Sequence, residues 1–369
     1  MPNLPIIKNY EDLVAFNNSL LESSCSLNIE SVSIANNFIV VNGETVNLDN
    51  FIYNYVISAS NHLKGSIYRL KKYDFSKLIC RTHPDIFMEE YLRPFINNII
   101  MMGESEFTLW NFIIKLENNE IILKALNNVN VEELFIPYFI TSISIIRIFG
   151  HHKNLKKVHI QEGSKLKKIE NLSFSHCKKL TEINLPEGLE EIGGGAFEWS
   201  GLKEIIIPSS VTLIKDMAFK NCEHLEKVII KKDSKLEVIG ADAFMQARIS
   251  SIALPNNLMQ IGDAAFASCT RLKEVCIPDS VKEVGESAFS YCSLRSIVLG
   301  RGIKFIPKNF ANACYVLNSV IIKGDIEGVG KNAFKGVPIE EIQIPNTSPI
   351  ITNADLGDNK TYAVKLYFN

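Results

Sequence analysis

The sequence lacks an excess of either charge, a long apolar run and a paired cysteine motif. Its formal net charge is −2 over 369 residues, so overall charge points to neither a nucleic-acid nor a membrane partner. No run of about 18 apolar residues could span a bilayer; the longest, near Ile143–Phe149, contains Ser144 and Arg147. The start, MPNLPIIKNYEDL, lacks a secretion leader, and the end, KLYFN, matches no prenylation or retention motif. We therefore expect a cytoplasmic protein, or one exported without a cleaved signal peptide.

Motifs for catalysis and metal binding are also scarce. None of the 8 cysteines has the CxxC or Cys/His spacing of a metal site. The run Gly193–Gly195 has no Lys-Ser/Thr after it, which favours a structural turn over a phosphate loop. His151, His152 and His159 have no carboxylate or thiol at ligand spacing, so we interpret them as exposed histidines. The prediction is a non-enzyme with no catalytic residue, no metal and no cofactor.

What the sequence does contain is a phenylalanine that returns about every 23 residues. The successive gaps are 25, 23, 22, 25, 22, 23, 21 and 24. A period of this size indicates a solenoid, in which each unit buries its apolar face only against its neighbours. The repeated residues are Phe149, Phe174, Phe197, Phe219, Phe244, Phe266, Phe289, Phe310 and Phe334.

Each repeat also contains a segment of the form L-x-x-I-x-I-P. Alternation of apolar and variable residues over five or six positions predicts a half-buried strand, and the proline that often follows predicts its end. These segments begin at Leu180, Leu202, Leu225, Ile249, Leu272, Leu294, Leu317 and Ile339.

A second column reads I-G-x-x-A-F. We expect its glycine to permit a backbone turn and its alanine to let adjacent coils pack closely. The phenylalanines should then stack with ring centroids roughly 4.5–7 Å apart. Cysteines follow several of these phenylalanines and should form a column of buried thiols that behave as small hydrophobes. They are Cys177, Cys222, Cys269, Cys292 and Cys314.

From Val131 to Pro345 the pattern resembles the BspA-like class of leucine-rich repeats, with the consensus LxxIxIPxxVxxIGxxAFxxCxxL. It departs from that consensus at Phe149, Phe174 and Phe310, where Pro307 replaces the glycine. The resemblance implies a curved solenoid of about nine repeats, with a parallel β-sheet on the concave side and short turns and irregular coil on the convex side. It also implies binding rather than catalysis, since family members are commonly surface or secreted proteins used in adhesion and host contact.

Residues 1–130 lack the repeat and predict an α+β domain that caps the first coil. Residues 346–369 would form a C-terminal cap segment. In the N-terminal part, Cys25, Cys80, His62 and His83 could form a Cys/His pair, but no nucleophile motif surrounds either cysteine. The predicted elements are helices over Asn9–Ser23, Leu48–His62 and Pro84–Met102, a β-meander with turns at Asn36-Asn37 and Asn42-Gly43, and a hairpin around Asn118-Asn119.

Two-residue alternation predicts which strand side chains face solvent on the concave side. Six consecutive apolar residues in one row would form an exposed stripe of the kind that marks partner sites. The alternative is that β-branched residues simply suit strands and cover one another. The predicted partner-binding residues are Lys157, His159, Glu182, Asn184, Glu204, Ile206, Lys227, Ile229, Ala253, Cys276, Val298, Ile321 and Gln343.

The first coils are also locally basic. A patch of lysines there could dock an acidic protein or a phosphate-rich ligand, or it could be an ordinary solvated surface. Aromatic residues do not interleave with it as they do in nucleic-acid sites. The patch comprises Lys153, Lys156, Lys165, Lys167, Lys168, Lys178 and Lys179.

The predicted function is a protein-protein interaction or adhesion module whose concave face recognises a protein partner. Nucleic acid is not an expected partner, and the sequence leaves the oligomeric state open. One alternative is a structural subunit of a larger assembly, such as a virion or secretion apparatus. Another is an N-terminal enzyme that the repeats deliver to its target.

Overall fold

A computed structural model describes residues 32–35, 38–41, 44–47, 106–109, 112–118, 120–126, 131–144, 153–339, 341–345 and 364–367. The chain divides into two compact units, Met1–Asn111 and Phe112–Asn369. Within the described residues there is no α-helix, and hence none that could cross a membrane. The three predicted N-terminal helices lie outside these residues, so the α+β cap is not shown.

All regular structure in the described part of the chain is β-strand. In chain order the strands are β1 Val32–Ala35, β2 Phe38–Val41, β3 Glu44–Asn47, β4 Glu106–Leu109, β5 Phe112–Glu117, β6 Glu120–Leu126, β7 Glu133–Ile136, β8 Ser142–Ile143, β9 Lys157–Ile160, β10 Lys168–Ile169, β11 Glu182–Ile183, β12 Glu191–Ile192, β13 Glu204–Ile207, β14 Leu213–Ile214, β15 Lys227–Ile230, β16 Val238–Ile239, β17 Gln260–Ile261, β18 Glu274–Cys276, β19 Glu283–Val284, β20 Ser296–Leu299, β21 Phe305–Ile306, β22 Ser319–Ile322, β23 Gly328–Val329, β24 Glu341–Pro345 and β25 Val364–Tyr367.

In the first unit, β1, β2 and β3 pair antiparallel, at the positions predicted for the meander. In the second unit, β5 and β6 form the predicted antiparallel hairpin, and Asn118 in its turn has φ 50°. Strand β6 then pairs parallel with β8, so the hairpin continues directly into the repeats.

The L-x-x-I-x-I segments form a parallel ladder, here called ladder 1, as the repeat predicts. It runs in three paired groups, β7-β9-β11, β13-β15 and β18-β20-β22-β24-β25. The segment that begins at Ile249 is the exception, because residues 251–255 form no strand. Ala253 stands where other segments have Ile206, Ile229 or Val298, and alanine is depleted in strands relative to β-branched residues.

A second parallel ladder, ladder 2, was not predicted by the sequence. It consists of two-residue strands around the isoleucine of I-G-x-x-A-F, in the orders β8-β10-β12-β14-β16-β17-β19 and β21-β23. The buried isoleucines stack in register, for example Ile192 on Ile214 and Ile214 on Ile239. The part expected to be irregular coil is therefore hydrogen-bonded from coil to coil.

The third side of each coil is a turn that carries the repeated phenylalanine, and we call these turns the turn stack. The amide of Phe266 donates to Ala288 O at 2.8 Å, and that of Phe244 donates to Ala265 O at 2.7 Å. Residues two before and two after the phenylalanine have positive φ, as at Ala264 (49°) and Ser268 (60°). Two left-handed residues per turn let the backbone turn twice while its amides point along the stack.

The phenylalanines form the buried centre of the solenoid. From Phe174 to Phe289 their rings stack nearly parallel, with interplanar angles of 4–11° and centroids 5.2–5.4 Å apart. Each ring from Phe174 to Phe334 is at most 1% exposed. The stacking prediction is confirmed over this range, whereas Phe149 lies outside the described residues.

At Phe310 the order of the repeat alanine and phenylalanine is reversed. Phe289 N donates to Phe310 O at 2.9 Å and Ala311 N to Ala333 O at 2.8 Å, so Phe310 takes the backbone place of the repeat alanine. Ala311 takes the place of the phenylalanine, which also puts Cys314 three residues after it, as in the other coils. The Phe310 ring meets both neighbours edge-on, at 72° and 79°, yet it remains fully buried.

The glycines of I-G-x-x-A-F are required for close approach rather than for the turn. Gly193, Gly240, Gly262 and Gly285 are not among the residues with positive φ, so the predicted reason is wrong. A Cβ on Gly262 would lie 2.5 Å from Ala241 N, a backbone atom of the preceding coil. Successive coils therefore touch backbone to backbone at this corner.

Candidate functional site

The solvent-facing row of ladder 1 brings the predicted apolar stripe together. We define the stripe as Ile206, Ile229, Ala253, Cys276, Val298 and Ile321. Strand register places Ile206 beside Ile229 and Val298 beside both Cys276 and Ile321. Ile206 is 41% exposed, and every stripe residue keeps some contact with solvent. The stripe is thus a real feature of this face, and its use in binding stays a prediction.

Toward the N-terminal end the same row becomes polar. His159 stacks on Phe135 with ring centroids 4.5 Å apart, and its Nε2 lies 3.4 Å from Glu133 Oε2. Asn184 is exposed one coil later, and at the other end Gln343 lies in register with Ile321. His159 therefore has an aromatic and an acidic neighbour rather than a set of metal ligands.

The neighbouring row of ladder 1 pairs its charges from coil to coil. Lys157 Nζ lies 2.8 Å from Glu182 Oε2, and Lys227 Nζ lies 3.1 Å from Glu204 Oε1. The hydrogen bond from Lys157 lowers the pKa of the Glu182 carboxyl and raises that of the lysine. These four predicted partner-binding residues are thus paired with one another, and at exposed positions each pair adds little stability.

Three of the seven lysines of the basic patch pair with acidic residues of other coils. Lys156 pairs with Glu132 at 2.9 Å, Lys167 with Glu190 at 2.7 Å, and Lys168 with Glu120 at 3.6 Å. Stacking of the coils places residues about 23 positions apart side by side. These ion pairs therefore cannot be recognised from the run of lysines in the sequence.

Two other lysines of the patch have uncharged partners. Lys179 donates to Asn154 Oδ1 at 2.9 Å, and Lys178 lies 5.6 Å from the centre of the Trp199 ring. Four lysines of the patch, Lys153, Lys165, Lys178 and Lys179, thus form no ion pair with another described residue.

The thiol column is buried as predicted. The thiols of Cys222 and Cys292 each donate to the carbonyl oxygen of a repeat phenylalanine in the preceding coil, Phe197 and Phe266 respectively, at 3.0 Å. Burial raises the pKa of the Cys177 and Cys222 thiols to about 12. The six described cysteines are all free, and five of them are buried.

Cys276 is the exception, since it is exposed in the middle of the apolar stripe. We expect iodoacetamide to modify Cys276 on the order of 100-fold faster than Cys222 or Cys292 in the folded protein, because alkylation requires an accessible thiolate. Mass spectrometry of peptides after timed alkylation at pH 8 measures these rates. The assignment of a closed thiol column would be wrong if Cys222 reacted as fast as Cys276.

The raised thiol pKa values also give a sign for the pH dependence of stability. Cys177 and Cys222 ionise near 9.0 in the unfolded chain but near 12 when folded. Their contribution to stability is therefore complete below about pH 9 and is lost as the pH rises toward 12.

A shallow groove of about 510 Å³ lies at the middle of the stripe, where ladder 1 is interrupted. Its lining includes Ala253, Leu254, Cys276 and Pro278 together with one acidic residue, Asp279, and one basic residue, Lys323. The sequence did not predict this groove. The signal available was the run of small residues at Ser250, Ser251 and Ala253, followed by Cys276 one coil later.

The remaining residues weighed for metal, phosphate or nucleophile chemistry are the glycine run and the histidine and cysteine groups. The described residues contain no group of three or more His, Cys, Asp or Glu that could hold a metal ion. Gly193–Gly195 lies in a turn, where Gly194 N donates to Asn171 Oδ1 at 2.7 Å. His151, His152, Cys25, Cys80, His62 and His83 lie outside the described residues.

Several solved structures of leucine-rich repeat proteins are similar to this chain. A leucine rich cell surface protein of Faecalibacterium prausnitzii is 20% identical with a TM-score of 0.34, covering 71% of this chain and 94% of its own. A leucine rich repeat protein of T. pallidum is 20% identical with a TM-score of 0.42, covering 70% and 100% respectively. A leucine-rich repeat protein of Bacteroides ovatus is 20% identical with a TM-score of 0.26, covering 71% and 99%. At these values the solved structures add nothing about partner or role, and no curated protein matches the chain.

The family model for the BspA type leucine rich repeat region matches in six copies, over residues 145–250 and 237–359. These two ranges together include more than half of the chain, and the strands from β9 to β24 lie within them. The protein therefore belongs to the family with BspA-type leucine-rich repeats.

Proposed function

We propose that this protein is a non-enzymatic recognition module and that the ladder 1 face binds a protein partner. The observation that carries the proposal is the apolar stripe, in which six apolar side chains lie on successive coils of one solvent-facing row. Exposed apolar surface of this kind is costly in a soluble protein and is typical of interfaces.

The chemistry of the flanks supports the same proposal. Beside the stripe, Glu204 and Lys227 pair with each other, so the N-terminal half of the face is close to neutral. Partner binding there would rely on apolar burial with a polar rim, the usual arrangement of a specific protein interface. An adhesion role is one form of this function, in which the partner lies on another cell or surface.

Aspartate replacements in the stripe test this proposal. Ile229→Asp and Val298→Asp are each expected to weaken partner binding by at least about 30-fold, or about 2 kcal/mol, because the interface would bury an unpaired carboxylate. The measurement is the native mass of the protein from its own cells, with identification of whatever co-elutes, followed by the affinity of the purified pair.

A matched control is Val316→Asp, because Val316 is 49% exposed but lies outside the stripe. This variant should leave partner binding unchanged. The proposal fails if both stripe variants keep every interaction of the natural protein. A stable particle of high mass would make the stripe a permanent interface within an assembly, and a monomer with a dissociable partner would make it a transient one.

A further inference from the structure

The groove in the stripe has features that select a particular kind of partner. It opens where residues 251–255 form no strand, between strands β15 and β18 of ladder 1. The two smallest side chains of the stripe, Ala253 and Cys276, line it, whereas Ile229 and Val298 lie on either side. The stripe thus has a gap at its centre that a large side chain from outside could fill.

The charges around the groove are predominantly positive. Lys323 lines it, and Lys273 and Arg295 precede strands β18 and β20. These three cations are exposed and form no ion pair with any other described residue, in contrast to Lys156 and Lys167 of the basic patch. Two carboxylates lie close to the groove. Asp279 also lines it and pairs with Arg301 at 4.0 Å, whereas Glu274 forms no ion pair with a described residue.

The spacing of the stripe favours a helical occupant. Adjacent strands lie about 4.8 Å apart, so the five steps from Ile206 to Ile321 span roughly 24 Å. A helix presents one apolar side chain per turn about every 5.4 Å along such a line, whereas an extended chain presents one about every 6.6 Å. About 16 residues of helix would cover the stripe, and its successive apolar side chains would nearly match the strand spacing.

We propose that the ladder 1 face binds an acidic amphipathic helix of a partner protein, and that a bulky aromatic side chain of this helix occupies the groove beside Cys276 and Lys323. This inference rests on the proposed function and names the partner's chemistry. The aromatic ring fills the space above Ala253, and carboxylates on the helix flanks face Lys273, Arg295 and Lys323. Large side chains that enter a pocket at the centre of an interface contribute most of the binding energy in such complexes.

Binding of synthetic 18-residue peptides to the full 369-residue chain tests this proposal. The first peptide carries leucines at helical spacing, one central tryptophan and glutamates on its flanks. The second has lysines in place of the glutamates, and the third has alanine in place of the tryptophan. We expect the second and third peptides to bind at least about 10-fold more weakly than the first, since they lose charge complementarity or the anchor respectively.

Variants of the protein locate the peptide on the face. Lys323→Glu removes an attractive charge and Ala253→Trp fills the groove, so each should weaken the first peptide at least about 10-fold. Matched controls are Lys335→Glu and Thr270→Trp, which change exposed positions outside ladder 1 and should leave its affinity unchanged. Because Ala253, Thr270 and both lysines are exposed, the four variants are expected to fold.

Alkylation of Cys276 gives a second readout. Saturating amounts of the first peptide should slow modification of residues 274–282, recovered as one tryptic peptide, at least about 10-fold. The proposal is overturned if acidic and basic peptides bind equally, if the tryptophan makes no difference, if no peptide binds at 1 mM, or if Cys276 stays unprotected. If Ile229→Asp still abolishes binding of the natural partner in any of these cases, the proposed function stands and only the helix proposal fails.

Discussion

Replacing Phe266 with alanine is expected to lower the free energy of unfolding by about 3–5 kcal/mol. The ring is fully buried and stacks on Phe244 and Phe289 with centroid distances of 5.4 and 5.2 Å. Its loss leaves a cavity that the backbone cannot readily close, because backbone hydrogen bonds tie this coil to both neighbours in ladder 2 and in the turn stack. Urea unfolding followed by circular dichroism measures the change.

The matched control is Tyr315→Ala, which removes an aromatic ring that is 70% exposed. This change should stay within about 0.5 kcal/mol, as is usual for surface positions. Since each coil contacts only its neighbours, the Phe266 variant is also expected to unfold less cooperatively, with the weakened coil dividing the solenoid. Equal effects of the two variants would show that the phenylalanine column is not the principal core.

Phe310→Ala is expected to cost a similar amount, about 3–5 kcal/mol, and a second change should recover much of it. In the double variant Phe310→Ala with Ala311→Phe, the alanine and phenylalanine regain the order of the other coils. The new ring at position 311 would lie in the column between Phe289 and Phe334, in space that the Phe310 ring fills edge-on in the natural protein. The three variants and the natural protein form a double-mutant cycle whose coupling energy is read from urea unfolding.

Ala311→Phe alone serves as the control in this cycle. Ala311 is fully buried and Phe310 already fills the space, so the single change should overpack the coil and cost about 1–3 kcal/mol. The interpretation of Phe310 as an inverted pair fails if the two single changes simply add in the double variant. It holds if the double variant is more stable than Phe310→Ala.

The residues that form the candidate site were predicted from the sequence, but the groove and the pairing of charges were not. The alternation of each L-x-x-I-x-I segment was sufficient to assign Ile206, Ile229 and Val298 to one solvent-facing row. The groove was not predictable in this way, because it depends on the missing strand at residues 251–255. The neutralisation of Lys156 and Lys167 depends equally on which acidic residues stack beside them.

The sequence by itself determined the solenoid, the strand of ladder 1, the phenylalanine column and the buried thiols. A repeat of about 23 residues returns the same side chain to the same place in every coil, so one-dimensional spacing carries this information. The tertiary structure alone decided the second ladder, the role of Gly262 in backbone contact and the inversion at Phe310. These features arise from contacts between coils, and the lengths of the connecting segments shift those contacts by one or two residues from coil to coil.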